Sequence, residues 1–103
     1  DLTEDTRNMT GTTETNEKIR GWSVFQAREL CHRKVAQQLR SPQSATFESE
    51  SEFAARPNAN PPGWVLAGYV DLPQRSGIVR LTWACAVVPV SSDSAQSRAI
   101  LVR

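Results

Sequence analysis

The thirteen residues IVRLTWACAVVPV, 78–90, constrain the fold more than any other stretch of the chain. Val79, Leu81, Trp83, Cys85 and Val87 alternate with Arg80, Thr82, Ala84 and Ala86. A period of two sends the first set to one face and the second to the other, which is the pattern of a half-buried antiparallel strand. Such a strand needs a neighbour along its edge and a layer over its apolar face. Pro89 has no N–H to give a ladder and is expected to end the strand or mark a bulge.

The neighbours are legible nearby. WVLAGYVDL, 64–72, places Val65, Ala67 and Tyr69 on one face and Trp64, Leu66, Gly68 and Val70 on the other. Apolar side chains on both faces predict a central strand. Gly68 in its middle predicts a bulge or the close approach of another backbone. The five residues PQRSG, 73–77, suit the turn of a hairpin. SATFESESEF, 44–53, alternates Ala45 and Phe47 against Thr46 and Glu48 and reads as a short first strand. RAILVR, 98–103, is a candidate fourth strand. AARPNANPPG, 54–63, carries three prolines and two asparagines and reads as a loop.

The covering layer is a helix over WSVFQARELCHRKVAQQLR, 22–40. Val24, Ala27, Cys31, Val35 and Leu39 form one stripe at helical spacing, widened by Phe25, Leu30 and Ala36. Ser23 with Gln26 fits a capping box, and Trp22 fits a staple on Ala27. Arg33, Lys34 and Arg40 suit the negative end of the helix dipole. Pro42 disfavours helical backbone at Ser41, so the helix is expected to stop near Arg40. The fold class is therefore α+β: one N-terminal helix packed across a three- to four-stranded antiparallel sheet, in the order α-β-β-β. LRSPQSATF, 39–47, is the corner where helix hands over to sheet.

Cys31 and Cys85 are the only cysteines, and by count alone they are one bridge or two buried thiols. Their positions decide between these. Cys31 lies on the apolar stripe of the helix and Cys85 on the core face of the long strand, so both thiols point into one interface. A disulfide is expected, and with it an oxidising compartment.

Residues 1–20 are polar and threonine-rich, with no period of 3.6 or 2, and read as a flexible leader before a single domain, 21–103. The first residue is Asp1 rather than Met, which fits a cut or the removal of a signal or anchor. A membrane tether upstream of Asp1 is one use for such a leader. No run of 18 apolar residues is present, so no transmembrane helix is expected. Twelve basic and eleven acidic residues nearly cancel, which leaves no global pull toward nucleic acid.

Few residues offer catalytic or metal-binding chemistry. His32 is the only histidine, and on a helix it diverges from Cys31 by about 100°, so the two make no catalytic pair. It is expected as a partly exposed helix residue. Cys31, His32 and Cys85 supply at most three ligands with no motif spacing, so no metal and no cofactor is expected. Glu48, Glu50 and Glu52 alternate and are expected to be solvated. Ser41 and Ser44 have no base placed to activate them. Trp83 is expected in the core. Tyr69 and Arg80 are expected to share the outer face of the sheet, as a cross-strand pair or as part of a binding patch with Trp64 and Arg75.

The runs ELCHRKVAQQLRSPQSATF and WVLAGYVDL…SGIVRLTWACAV together resemble a group of small bacterial domains of exported and lipoprotein type. In that group a cysteine-bearing helix leads into an L-[KR]-S-P-x-S-A-x-F corner, here Leu39, Arg40, Ser41, Pro42, Ser44, Ala45 and Phe47. A G-x-V-D strand follows, here Gly68, Val70 and Asp71. An R-x-x-[FW]-x-C-x-V strand completes the pattern, here Arg80, Trp83, Cys85 and Val87. The resemblance covers about residues 29–88. It departs at the turn, where the group reads D-A-Q-N-x-F-G and this chain reads DLPQRSG. It implies an extracytoplasmic setting, periplasmic or lipidated, and transfers no activity.

The functional expectation is a non-enzymatic binding or scaffold module for a protein or cell-envelope component, through Trp64, Tyr69, Arg75 and Arg80. Two alternatives stand beside it. One is an inhibitor or immunity protein. The other is a small or cation-dependent enzyme using the Glu48–Glu52 row with Arg80.

Overall fold

The computed structural model describes residues 17–102. Strand β1, Lys18–Ile19, pairs antiparallel with β2, Trp22–Ser23. Arg20 and Gly21 form the turn between them, both at positive φ. The expected leader lies outside the described residues up to 16, and its last part belongs to this ribbon.

Helix α1, Val24–Ala36, begins at the capping box foreseen in the sequence. The Gln26 N–H donates to Ser23 Oγ at 3.2 Å, and the Ser23 N–H donates to Gln26 Oε1 at 2.9 Å. Two first-turn donors are thereby satisfied. The helix stops earlier than expected. Gln38 and Leu39 N–H groups bond back three residues, to Val35 and Ala36 carbonyls, which tightens the last turn into a non-helical corner before Pro42. A 3-10 turn, Pro42–Ser44, completes the corner.

The main sheet contains β3, Thr46–Phe47; β4, Ala54–Ala59; β5, Pro62–Gln74; β6, Gly77–Pro89; and β7, Ala95–Val102. Every pairing is antiparallel. β3 and β4 lie along the same edge of β5, β3 at Asp71 and Val70 and β4 from Ala67 to Pro62. They act as one strand broken by an excursion over residues 48–53. The sheet is thus five strands in four positions, with β6 and β7 completing the order β5-β6-β7.

Two expectations need correction. Residues 54–63 are not a loop: Ala54–Ala59 pairs with Pro62–Ala67 around a tight Asn60–Pro61 turn, whose peptide is cis. The prolines are tolerated because β4 is an edge strand and Pro62 is the first residue of β5, where no donor is required. The β5–β6 turn contains only Arg75 and Ser76, because Gln74 pairs with Gly77. Gly77 adopts φ +132, open to glycine. The candidate fourth strand is present and starts three residues earlier than RAILVR.

The core lies between α1 and one face of the sheet. Val24, Ala27, Cys31 and Val35 of α1 are buried, as are Leu66, Val70, Trp83, Cys85 and Val87 of the sheet. Burying each large aliphatic side chain contributes roughly 1.5–3 kcal/mol. Cys31 and Cys85 form the expected disulfide across this interface, with Cα atoms 5.9 Å apart. Trp22 and Trp64 close one end of the core: Trp64 Nε1 donates to the Trp22 carbonyl at 2.9 Å, and Trp22 Nε1 donates to the Ser91 carbonyl at 2.8 Å. Among the described residues no helix is long and apolar enough to cross a membrane.

Candidate functional site

The excursion after β3 buries the one acidic side chain that the core contains. Glu48 is 2% exposed. Its Oε1 accepts from the Trp83 indole at 2.9 Å and the Tyr69 backbone N–H at 3.1 Å. Its Oε2 accepts from Arg28 Nε at 3.2 Å and His32 Nε2 at 2.6 Å, and Arg28 Nη2 forms an ion-pair contact with it at 3.0 Å. Against an acceptor-only carboxylate, His32 Nε2 is the donor. Arg28 also donates to the Glu48 carbonyl, and the Glu48 N–H donates to the Tyr69 carbonyl at 3.3 Å.

Each contributor has a local reason for its place. Arg28 and His32 are four apart on α1 and project from one side of it. Trp83 sits directly across from Gly68 in the β5–β6 ladder, so its indole crosses a position with no side chain. A Cβ on Gly68 would lie 2.0 Å from Glu48 Oε1 and 2.7 Å from Trp83 Cζ2. The close approach predicted at Gly68 is real, but a carboxylate and an indole make it rather than a backbone. The His32 ring stacks on Phe47 with centroids 4.1 Å apart and meets Trp83 edge-on at 5.5 Å.

These facts correct one expectation. Glu48 is not solvated, because the chain leaves the strand after Phe47 and turns its side chain inward. His32 is a partly exposed helix residue, as expected, and its Nε2 is in addition committed to Glu48. The two carboxylate oxygens have about four lone-pair sites, and four donor groups fill them. Glu48 is therefore a clamp joining α1, β5 and β6, with no acceptor site left for a ligand.

The opposite face of the sheet carries a second polar chain. Tyr69 Oη donates to Glu52 Oε1 at 2.8 Å, and Ser49 Oγ donates to the same oxygen at 2.9 Å. Arg80 lies over the Tyr69 ring, 3.6 Å from its centroid. Arg80 also grips Asp71, its direct cross-strand neighbour, with Nε 2.7 Å from Oδ1 and Nη2 2.9 Å from Oδ2. The Tyr69 hydroxyl, followed by the Ser49 hydroxyl, holds the Glu52 carboxyl below its ordinary value. The hydrogen bond to Glu52 pushes the Tyr69 phenol upward. The hydrogen bond from Arg80 lowers Asp71, and Asp71 in turn raises Arg80.

The structure separates the side chains that the sequence grouped. Tyr69 and Arg80 are together on the outer face, Arg75 is in the exposed β5–β6 turn, and Trp64 is only 3% exposed. Trp64 leaves the interaction surface because its even register on β5 faces the core with Leu66. Glu48 and Arg80 lie on opposite faces of the sheet and do not converge, while Glu50 is exposed. Among the described residues no group of three or more His, Cys, Asp or Glu could hold a metal ion.

One feature had no clear signal in the sequence. A groove of about 640 Å³ opens at the C-terminal end of α1, with Leu39, Leu72, Leu81 and Leu101 as apolar lining and Arg40 and Gln74 among its polar groups. It joins residues from four segments, the corner after α1 and strands β5, β6 and β7, which no single period could reveal.

No family model, curated protein or solved structure matches this chain.

Proposed function

We propose that the chain is a non-enzymatic extracytoplasmic binding module whose partner, a protein or a cell-envelope component, is contacted by the β5–β6 hairpin end. The exposure of this hairpin carries the reading. Residues 73–80 are all exposed, and Ile78, at 74%, is the most exposed large apolar side chain among the described residues. Arg75 stands in the turn, and the leucine-lined groove opens beside it. An exposed apolar tip with a nearby arginine and an apolar groove suits an anchor for a partner, since arginine and large apolar groups dominate interface energetics. The Cys31–Cys85 disulfide supports an oxidising compartment. The saturation of Glu48 and its separation from Arg80 weigh against the enzyme alternative.

The test is comparative capture from an envelope extract, using the whole chain, Ile78→Asp and Arg75→Glu as baits. A species retained by the parent and lost by both variants is the expected result. Identical captures by all three baits would sink the reading.

A further inference from the structure

We propose that the face of the main sheet turned away from α1 is a self-association surface, on which a second copy of this chain docks by a two-fold rotation. The inference goes beyond the binding-module reading and assigns Tyr69 and Arg80, on that face, to a copy of the chain rather than to another partner.

Alpha helix α1 covers one face of the sheet, and among the described residues nothing covers the other. Through its middle the outer face carries mostly small or apolar side chains, with Arg80 laid over the Tyr69 ring and Glu52 bonded to the Tyr69 hydroxyl at its β5 edge. One cross-strand row runs Ala67, Ala84, Ile100, and the next runs Tyr69, Thr82, Val102. Ile100 and Val102 are 52% and 50% exposed. Those levels are high for branched apolar side chains on a strand with helix packing on its other side.

The two rows are complementary in size. Under a two-fold axis lying between them, across the strands, each strand stacks on its own copy and the rows exchange. Tyr69 then falls over Ala67, Thr82 over Ala84, and Val102 over Ile100. Large groups meet small ones on the first two strand positions, and branched aliphatics meet on the third. That is the self-complementarity an isologous interface requires.

Charge follows the same operation on the β4 side. Arg56 is opposite Val65 at one end of the face, and Glu52 is bonded to Tyr69 toward the other. Both belong to the edge alongside β5, so the rotation brings Arg56 of each copy toward Glu52 of the other. Arg56 has no carboxylate partner among the described residues. Arg98 shares the Arg56 row, and Arg80 lies at the far end of the neighbouring strand already neutralised by Asp71, so repulsion on the β7 side is limited.

The area sets the strength. Strands about 4.8 Å apart in four positions, with rows repeating every two residues, give a projected face of roughly 400 Å² per copy. Stable dimers bury about 800 Å² per partner. The association is therefore weak, reversible and concentration-dependent.

The experiment is sedimentation velocity on the full chain over a dilution series up to millimolar, on the parent and on Ala84→Arg, Arg56→Glu, Glu52→Arg and the Arg56→Glu/Glu52→Arg double variant. The parent is expected to approach twice the monomer mass reversibly. Ala84→Arg is expected to stay monomeric with an unchanged near-ultraviolet circular dichroism spectrum. If it does not fold, Ala86→Arg, at an exposed position on the same face, replaces it. Each single charge reversal is expected to weaken association several-fold, and the double reversal to restore most of it. A parent that stays monomeric at millimolar concentration overturns the proposal. So does an Ala84→Arg or Ala86→Arg protein that dimerises like the parent, or a double reversal no better than its parts. The hairpin-tip captures have a separate readout, so either idea can fail alone.

Discussion

Glu48 occupies the space that a side chain at residue 68 would need. Its Oε1 would lie 2.0 Å from a Cβ on Gly68. Glycine is required here for room rather than for backbone conformation. Gly68→Ala is expected to displace the carboxylate or the Trp83 indole and to lower stability by about 1–3 kcal/mol from overpacking alone. Urea denaturation measures this. A variant as stable as the parent would show that the clamp is not closed in solution.

Glu48→Gln tests the clamp from the other side. It keeps the shape but removes the charge facing Arg28 and turns an amide N–H₂ toward donors. Breaking one partner of a buried pair costs about 3–5 kcal/mol. His32→Ala should cost less, because Arg28, Trp83 and the Tyr69 N–H remain on the carboxylate. A larger loss for His32→Ala than for Glu48→Gln would contradict this ranking.

The Cys31–Cys85 bridge closes a loop with a sequence separation of 54. The chain-entropy model assigns such a loop about 4 kcal/mol. Reduction, or a Cys31→Ala/Cys85→Ala pair, is expected to remove much of this in a denaturant titration. Mass analysis after alkylation under non-reducing, denaturing conditions should find no modified thiol. Two modified cysteines would remove both the bridge and the argument for an oxidising compartment.

The outer-face relay has a pH signature with two limbs. Asp71 and Glu52 are held below ordinary carboxylate values, by Arg80 and by Tyr69 respectively. Their contribution is complete above the ordinary range and fades as pH falls through the lowered values. Tyr69 is raised by its bond to Glu52, so its contribution is complete below the ordinary phenol value and fades as pH rises through the raised one. Tyr69 is the sole tyrosine, so tyrosinate absorbance reports it directly. The midpoint should lie above that of a free tyrosine and fall back in Glu52→Gln. A midpoint at the free value would mean that the hydrogen bond is absent in solution.

Trp64 and Arg75 separate core from surface. Trp64→Ala is expected to cost about 3–5 kcal/mol. Arg75→Ala, in the exposed turn, should stay within about 0.5 kcal/mol. Thermal melts of the two variants decide this, and similar losses would contradict the placement of Trp64 in the core.

Periodicity revealed the helix stripe, the hairpin strands and the cysteine pairing, because each depends on one side of a regular element facing a core. The same logic misplaced Glu48. Alternation from Ala45 onward holds only while the chain remains a strand, and β3 ends at Phe47. Nothing local in ESESE says where pairing stops, since long-range partners on α1 and β6 draw the side chain inward. Trp64 escapes the pattern for another reason: both faces of β5 carry apolar groups, so alternation alone does not choose the buried one. β4 stayed hidden because its prolines sit where an edge strand tolerates them. The one clue to the clamp was Gly68, whose missing side chain marked a close approach without naming the visitor.

The break between β3 and β4 also bears on how such a chain could diversify. Phe47 and Ala54 are each anchored in the β5 ladder, while Ser49, Glu50 and Ser51 are exposed between them. Extra residues placed after Glu50 would lengthen a surface loop whose two stems are fixed independently. Descendants could vary this segment in length and composition while the hydrogen bonds on either side stay in register. The interruption that hides a carboxylate in the core also provides a graft point on the surface.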